Sequence, residues 1–292
     1  MKFGIYRLNY LLNSIALIDL KEEYGAEVSF LSFYRAWNHC NIENDLSWLN
    51  WVLSSPSDVL LTWEPWLIPP AHHAPEIQPD FSLKNITSGM YDTYIRAFAS
   101  ILAAFQRTIF LRPMHEMNGC WYPWCGTVNQ NTPDDFINAW RHIKKLFVEA
   151  DASNIKWVWS PYTSSYPDNS ENGICSYFPG DNQIDMIALD GYNWGTLNES
   201  GAWQSFLELF GKGYDIVTSL STKPVIIGEV GCTEFGGEKS KWINNMFLIL
   251  SSKFSRIQIL IWFDIDKECD WRIASSDSAL DTFKKNAKIY FK

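Results

Sequence analysis

No run of 18 apolar residues occurs in this 292-residue chain, so no segment has the length to cross a bilayer as a helix. Basic charge is short as well. The 24 Lys and Arg are outnumbered by 33 Asp and Glu, a net charge of −9, which excludes nucleic acid and anionic lipid surfaces as partners, since both need basic protein surface. Charged residues make up only 20%, too few for a disordered chain. The six cysteines contain no C-x-x-C pair, which is poor spacing for zinc, and free thiols are expected. No early glycine-rich turn is present, which speaks against a doubly wound dinucleotide fold. The opening MKFGIYRLNY lacks the apolar core of a signal peptide. Two compartments are therefore expected as alternatives, extracellular if a leader was removed and cytoplasmic otherwise. What the chain has in excess is aromatic side chains, 16% with 15 Trp. Trp is largely buried on average, but this excess suits a ligand with flat apolar faces, as sugars have.

Short continuous apolar runs recur along the chain. They fall at residues 3–6, 28–34, 59–63 (VLLTW), 109–114, 155–160 (IKWVWS), 185–189 (DMIAL), 224–228 (PVIIG) and 257–263 (IQILIWF). Runs of this kind are strands buried on both faces. Helical spacing appears between them, at residues 14–24, 46–53, 91–105, 132–150, 203–220, 239–254 and 278–290. Thr132-Pro133-Asp134-Asp135 opens its helix with a capping Thr, a Pro at the first position and acids in the first turn. Residues 67–83 and 162–181 read as loops. Eight strands, each followed by a helix or a helix-length connection, predict an α/β fold of the (β/α)8 TIM-barrel type. One domain spanning 1–292 is expected.

In such a barrel the residues just past each strand share one rim. That rim holds Arg35, Trp37, Asn38 and His39; Glu64 and Trp66; His115, Glu116, Asn118 and Trp121; Pro161 and Tyr162; Asp190, Tyr192 and Trp194; Glu229; and Trp262, Asp264 and Asp266. Carboxylates among aromatics are what glycoside hydrolysis needs: one protonated carboxyl to release the leaving oxygen, and one ionised carboxylate to attack. Glu116 follows the fourth strand and Glu229 the seventh, across the mouth from each other. A gap of about 5–5.5 Å would give retention and one of roughly 6.5–9.5 Å inversion. Arg112 is expected to point inward and orient a rim carboxylate. Trp48, Trp51, Trp140, Trp203 and Trp242 are expected on helices, in the core.

LRPMHEMNGCWYPW (111–124), TWEPW (62–66), DGYNW (190–194), IIGEVG (226–231) and IWFD (261–264) together resemble glycoside hydrolase family 26. The resemblance covers nearly the whole chain. It implies a retaining endo-β-glycanase on a (β/α)8 barrel, with no cofactor, acting on a neutral β-linked polysaccharide or oligosaccharide such as β-1,3-1,4-glucan or β-mannan. It implies Glu116 as acid/base and Glu229 as nucleophile. It gives His115 a bond to the sugar beside the scissile linkage and Trp121 a place in the cleft wall. Tyr192 would bond the nucleophile, Trp262 would be the platform beneath the reacting sugar, and Asp190 would bind substrate. Glu64, Trp66 and Asn118 are further substrate-binding candidates. Pro123 in WYPW departs from the aromatics of many mannanases there and, with Glu64, resembles the glucan-cleaving branches. A monomer is expected.

Two other readings stand beside this one. A metal-dependent barrel hydrolase would use His39, His115, Asp190 and Glu64. His72-His73 could be a metal pair only against strand geometry, which points neighbours to opposite faces. A barrel that binds polysaccharide without cleaving it is the other.

Overall fold

A computed structural model of the protein describes residues 1–7, 14–68, 74–197 and 201–291, with the backbone alone at 14 and 15. His72-His73 lie outside the described residues. The order of elements is β1 (Lys2–Tyr6), α1 (Ser14–Tyr24), β2 (Val28–Ala36), α2 (Ile42–Val52), β3 (Asp58–Glu64), α3 (Leu83–Thr87), α4 (Asp92–Ala103), β4 (Ile109–Pro113), α5 (Pro133–Glu149), β5 (Ile155–Trp159), β6 (Met186–Asn193), α6 (Phe206–Leu220), β7 (Val225–Cys232), α7 (Lys239–Ser252), β8 (Ile257–Phe263) and α8 (Asp277–Tyr290). The eight strands pair in parallel, in sequence order, and β8 closes on β1. This is the expected (β/α)8 barrel. No helix among the described residues is long and apolar enough to cross a membrane.

Strand alternation sorts the side chains into two layers. Phe30, Leu60, Val158, Met186, Ala188, Ile226, Ile259 and Ile261 fill the barrel interior, with Phe110 packed on them. Their neighbours Leu31, Leu61, Leu111, Trp157, Trp159, Ile187, Ile227, Leu260 and Trp262 belong to the shell between strands and helices. Both faces are thus apolar, which is why the strands read as unbroken runs rather than as alternation.

The connection from β5 to β6 contains only short 3₁₀ turns, Ile174–Tyr177 and Asp181–Gln183, in keeping with the polar loop expected there. The expected loop at 67–83 holds a 3₁₀ turn at Pro79–Phe81 and passes into α3. α5 opens as expected, with the Thr132 hydroxyl accepting from Asp135 N and the Asp135 carboxylate accepting from Thr132 N, a capping box. α2 starts four residues before its apolar spacing does, because the Asn41 side chain accepts from the backbone N–H of Glu43 and Asn44. β6 and β7 run past their expected ends, to Asn193 and Cys232. Asp190, Tyr192 and Glu229 therefore lie within paired strand rather than in loops beyond it. Trp140 and Trp242 are core as expected. Trp51 is exposed, however, and Trp203 precedes α6 and is only half-buried.

Candidate active site

Above the apolar plug, the inward-facing positions turn polar. Arg112, two residues after Phe110 on β4, is completely buried and spends its whole guanidinium on neighbours. Nη1 donates to both oxygens of Asp190 at 3.0 Å, and Nη2 donates to Glu229 Oε1 at 2.6 Å and to the Tyr34 hydroxyl at 3.2 Å. Nε donates to Thr62 Oγ1 at 2.9 Å. Ser160 Oγ also donates to Asp190 Oδ2 at 2.8 Å. A buried cation held between two carboxylates by a planar fork is the pairing that arginine geometry favours. The expectation that Arg112 orients a rim carboxylate holds.

Glu229 reaches this network through an irregularity in β7. Ile226 faces the interior and Ile227 the helices, so strict alternation would send Glu229 toward the helices. The register shifts between Leu189 and Asp190 on the β6 side, and between Ile227 and Val230 on the β8 side. These shifts turn Glu229 inward beside Gly228, as bulges do near active sites. Gly228 itself leaves room for the pair below it, since a Cβ there would stand 2.5 Å from Asp190 Oδ1 and 2.9 Å from Arg112 Nη1. The other oxygen of Glu229 accepts from the Tyr192 hydroxyl. Burial and the Glu229 charge hold Tyr192 well above the ordinary range of a phenol, so it remains a donor.

Glu116 stands opposite, at the start of the loop after β4. Met114 and Glu116 both have positive φ, 50° and 55°, a strained conformation for residues with side chains. The surroundings fix it. Glu116 N donates to Ser160 O at 2.7 Å, Gly119 N to Glu116 O at 2.9 Å, and Trp124 Nε1 to His115 O at 2.6 Å. Trp121 folds back over Gly119, where a Cβ would lie 2.6 Å from the indole, and donates from Nε1 to Glu116 Oε2 at 2.6 Å. Burial, then the charges of Glu229 and Asp190, hold Glu116 well above the usual carboxyl range.

His115 lies beside Glu229, fully buried, with Nε2 3.8 Å from Glu229 Oε1 and neither ring nitrogen hydrogen-bonded. Burial and then the Arg112 charge hold it well below the ordinary histidine range, so it is neutral. One ring nitrogen of His115 and one oxygen each of Glu116 and Glu229 lie within 4.8 Å of one another. Glu64, also buried, accepts from Trp66 Nε1 at 3.3 Å. Burial above all, against the pull of that indole, pushes it up to about 8. The half-buried Trp66 packs edge-on against Tyr122 at 5.2 Å, and Tyr122 against His115 at 4.8 Å.

Three expected site residues are elsewhere. Trp262 is on the helix side of β8, fully buried against Trp242 and Phe283. By alternation the cleft-side aromatic is its neighbour Phe263, stacked on Tyr6 at 4.9 Å and edge-on to Tyr192 at 5.5 Å. Asp190 is fully buried, and its carboxylate accepts from Arg112 and Ser160. Asn118 is buried too: its amide nitrogen donates to Tyr162 O at 3.0 Å and its oxygen accepts from Tyr162 N at 2.9 Å, which ties the β4 loop to the β5 loop. Tyr34, Ser160 and Phe263 were missed as site residues, although strand parity places all three inward.

The four-residue metal set does not assemble. Among the described residues, the His, Cys, Asp and Glu side chains that converge are His115, Glu116 and Glu229. His39 is exposed, and Asp190 is occupied by Arg112. All six cysteines are unpaired. Asp264, expected on the rim, is buried and bonded to the Tyr24 hydroxyl and Ile273 N.

Endoglucanase H of Acetivibrio thermocellus is 33% identical over 279 residues, 92% of this chain and 28% of its own length. Mannan endo-1,4-β-mannosidase A and B of Caldalkalibacillus mannanilyticus is 38% identical over 92 residues, 30% of this chain and 17% of its own length. The chain thus spans under a third of either relative. The catalytic domain of a Bacillus sp. JAMB-750 GH26 endo-β-1,4-mannanase superposes with a TM-score of 0.69 at 16% identity, covering 98% of this chain and 85% of that one, a likeness of fold. The pattern of glycosyl hydrolase family 26 matches residues 84–242, more than half of the chain, and the chain belongs to that family.

Proposed function

We propose that the protein is a retaining endo-β-glycosidase, with Glu229 as nucleophile and Glu116 as acid/base, acting on a neutral β-linked polysaccharide. The observation that carries this is the approach of a Glu116 oxygen and a Glu229 oxygen to within 4.8 Å. An approach this close by the nearest oxygens supports direct attack, for which carboxyls stand about 5–5.5 Å apart, over inversion, which uses a gap of roughly 6.5–9.5 Å.

The electrostatics support the same cycle. Arg112 and Tyr192 each donate to one oxygen of Glu229 and hold the carboxylate in place. The charge on Glu229 in turn opposes ionisation of Glu116, which is therefore the proton donor. When Glu229 becomes esterified to the sugar its charge is gone, and that support for the Glu116 proton goes with it. Glu116 then serves as base toward water, with no group having moved. Neutral His115, whose two ring nitrogens have no hydrogen-bond partner, is the candidate to bond a sugar hydroxyl. Trp66, Trp121 and Tyr122 offer ring faces for the apolar sides of the sugar. No step calls for a cofactor.

Glucan is favoured as substrate because the match to the endoglucanase runs through 92% of the chain, against 30% for the mannosidase. Hydrolysis of a panel containing mixed-linkage β-glucan and β-mannan tests this, and a clear preference for mannan would reverse it. Glu229→Ala is expected to lower kcat by roughly four orders of magnitude or more. Glu116→Ala should cost about 10²–10⁴-fold and be rescued by azide on an aryl glycoside. Near-native activity in either variant would overturn the roles.

A further inference from the structure

β3 and β5 flank β4 on opposite sides in the barrel, and an aromatic wall stands on each side of Glu116. Toward β3, Tyr122 joins Trp66 to His115, and His115 lies beside Glu229. Toward β5, Trp121 packs edge-on against Tyr162 at 5.3 Å, and Tyr166 meets both, 5.7 Å from Trp121 and 6.1 Å from Tyr162. Trp121 is the member of this wall that touches Glu116, through its bond to Oε2. Tyr162 is buried, but Tyr166 is 47% exposed. Its two ring contacts are tilted, at 56° and 60°, so neither neighbour lies flat over it.

The exposed ring stands on a fixed backbone. Tyr166 N donates to Asn118 O at 2.8 Å, and the Asn172 amide donates to Asn118 O at 2.9 Å and to Pro167 O at 3.0 Å. The segment that carries Tyr166 is thus tied to the loop that carries Glu116. A ring held in this way binds a partner at little ordering cost. The chemistry divides the substrate between the two walls. The sugar that becomes attached to Glu229 occupies the His115 side, because His115 lies beside that carboxylate. Glu116 protonates the oxygen that departs, so the departing chain lies past Glu116, toward β5. Trp121, bonded to Glu116, meets the first departing sugar. Tyr166 is the next ring along that wall.

We infer that Tyr166 is a specificity-determining residue, the platform for the second sugar of the departing chain counted from the bond that is cut. The inference rests on the hydrolase reading. The test compares the native protein with Tyr166→Ala on two substrates. One is whichever of mixed-linkage β-glucan and β-mannan the native protein cleaves; the other is the phenyl β-glycoside of that polymer's disaccharide. Phenol leaves slowly without a proton, so the phenyl glycoside needs Glu116 as the polymer does, but its leaving group ends at Trp121. Tyr166→Ala should lower kcat/KM on the polymer about tenfold relative to the phenyl glycoside, the scale of losing one aromatic contact and its buried area. The loss should fall mainly on KM, as for binding shared by ground state and transition state. Tyr166→Phe keeps the ring and should restore most of the polymer rate. An equal loss on both substrates would overturn the inference, since the ring would then act through Trp121 on Glu116. So would no loss on the polymer, a loss confined to kcat, or a Phe variant no better than Ala. A native protein that cleaves neither polymer would sink the hydrolase reading and this inference together. One that cleaves a polymer while Tyr166→Ala treats both substrates alike would sink this inference alone.

Discussion

Arg112 has a net excess of negative charge around it: one guanidinium faces Asp190 at 3.0 Å and Glu229 at 2.6 Å, all three at most slightly exposed. Removing the cation leaves carboxylates buried without compensation, which costs about 3–5 kcal/mol. Arg112→Met should therefore lower the urea midpoint strongly at pH 8 and less at pH 5, where the orphaned acids can take up protons. Arg112→Lys separates charge from geometry. An ammonium restores a charge but cannot bridge both acids and Tyr34 in one plane. It should regain much of the stability while kcat stays at least about tenfold down and KM changes little. Equal recovery of kcat and stability would mean that the fork does not position Glu229. The sequence allowed Arg112 to be read as an orienting residue, because its parity with Phe110 puts it inside. It did not reveal that Asp190 would be consumed in holding it, since a strand-end acid looks the same whether it faces a sugar or a guanidinium.

The elements were legible wherever local chemistry decides structure. The eight apolar runs mark eight strands, and Thr132 with Asp135 marks the start of α5. What stayed hidden depends on register. Glu229 faces inward only because β7 shifts against both neighbours, and the GEVG spacing by itself does not encode that shift. Trp262 shows the reverse case. Alternation from Ile259 and Ile261 assigns it to the helix side, against the place that the family resemblance implies for it. Asn118 also escaped its proper reading, because its partners lie 44 residues away on the β5 loop. Asn118→Ala removes the bonds to Tyr162 N and O and should cost about 1–3 kcal/mol. It should also raise KM, since Trp121 packs edge-on against Tyr162 at 5.3 Å and that wall is then held from one side only. Thermal denaturation and steady-state kinetics would check it, and an unchanged melting temperature would show that the two loops do not depend on this amide.

At the scale of the whole barrel, the site places ionisable groups where water cannot reach them, and stability becomes a function of pH. Glu64 is 4% exposed and is pushed up to about 8, while an unfolded glutamate titrates near about 4.3. The native state therefore holds a proton that the unfolded chain has lost. The stability contributed by Glu64 is complete below about 4.3 and is lost as pH rises through about 8, by up to about 1.4 kcal/mol per pH unit between them. His115 acts in the opposite direction. Its pKa is lowered by burial and Arg112, so its contribution is present above about 6.5 and lost as pH falls. Below about 6.5 the two oppose each other. From pH 6.5 to 8 the buried acids act in the same direction: Glu64, Glu116 and Asp190, the last pushed up by burial to about 8. Urea midpoints of the native protein should thus decline across that window. Glu64→Gln keeps an acceptor for Trp66 Nε1 and removes the proton, so it should flatten a substantial part of the decline while leaving the midpoint at pH 5 nearly unchanged. If native and variant proteins lose stability in parallel from pH 6.5 to 8, Glu64 is ionised in the fold.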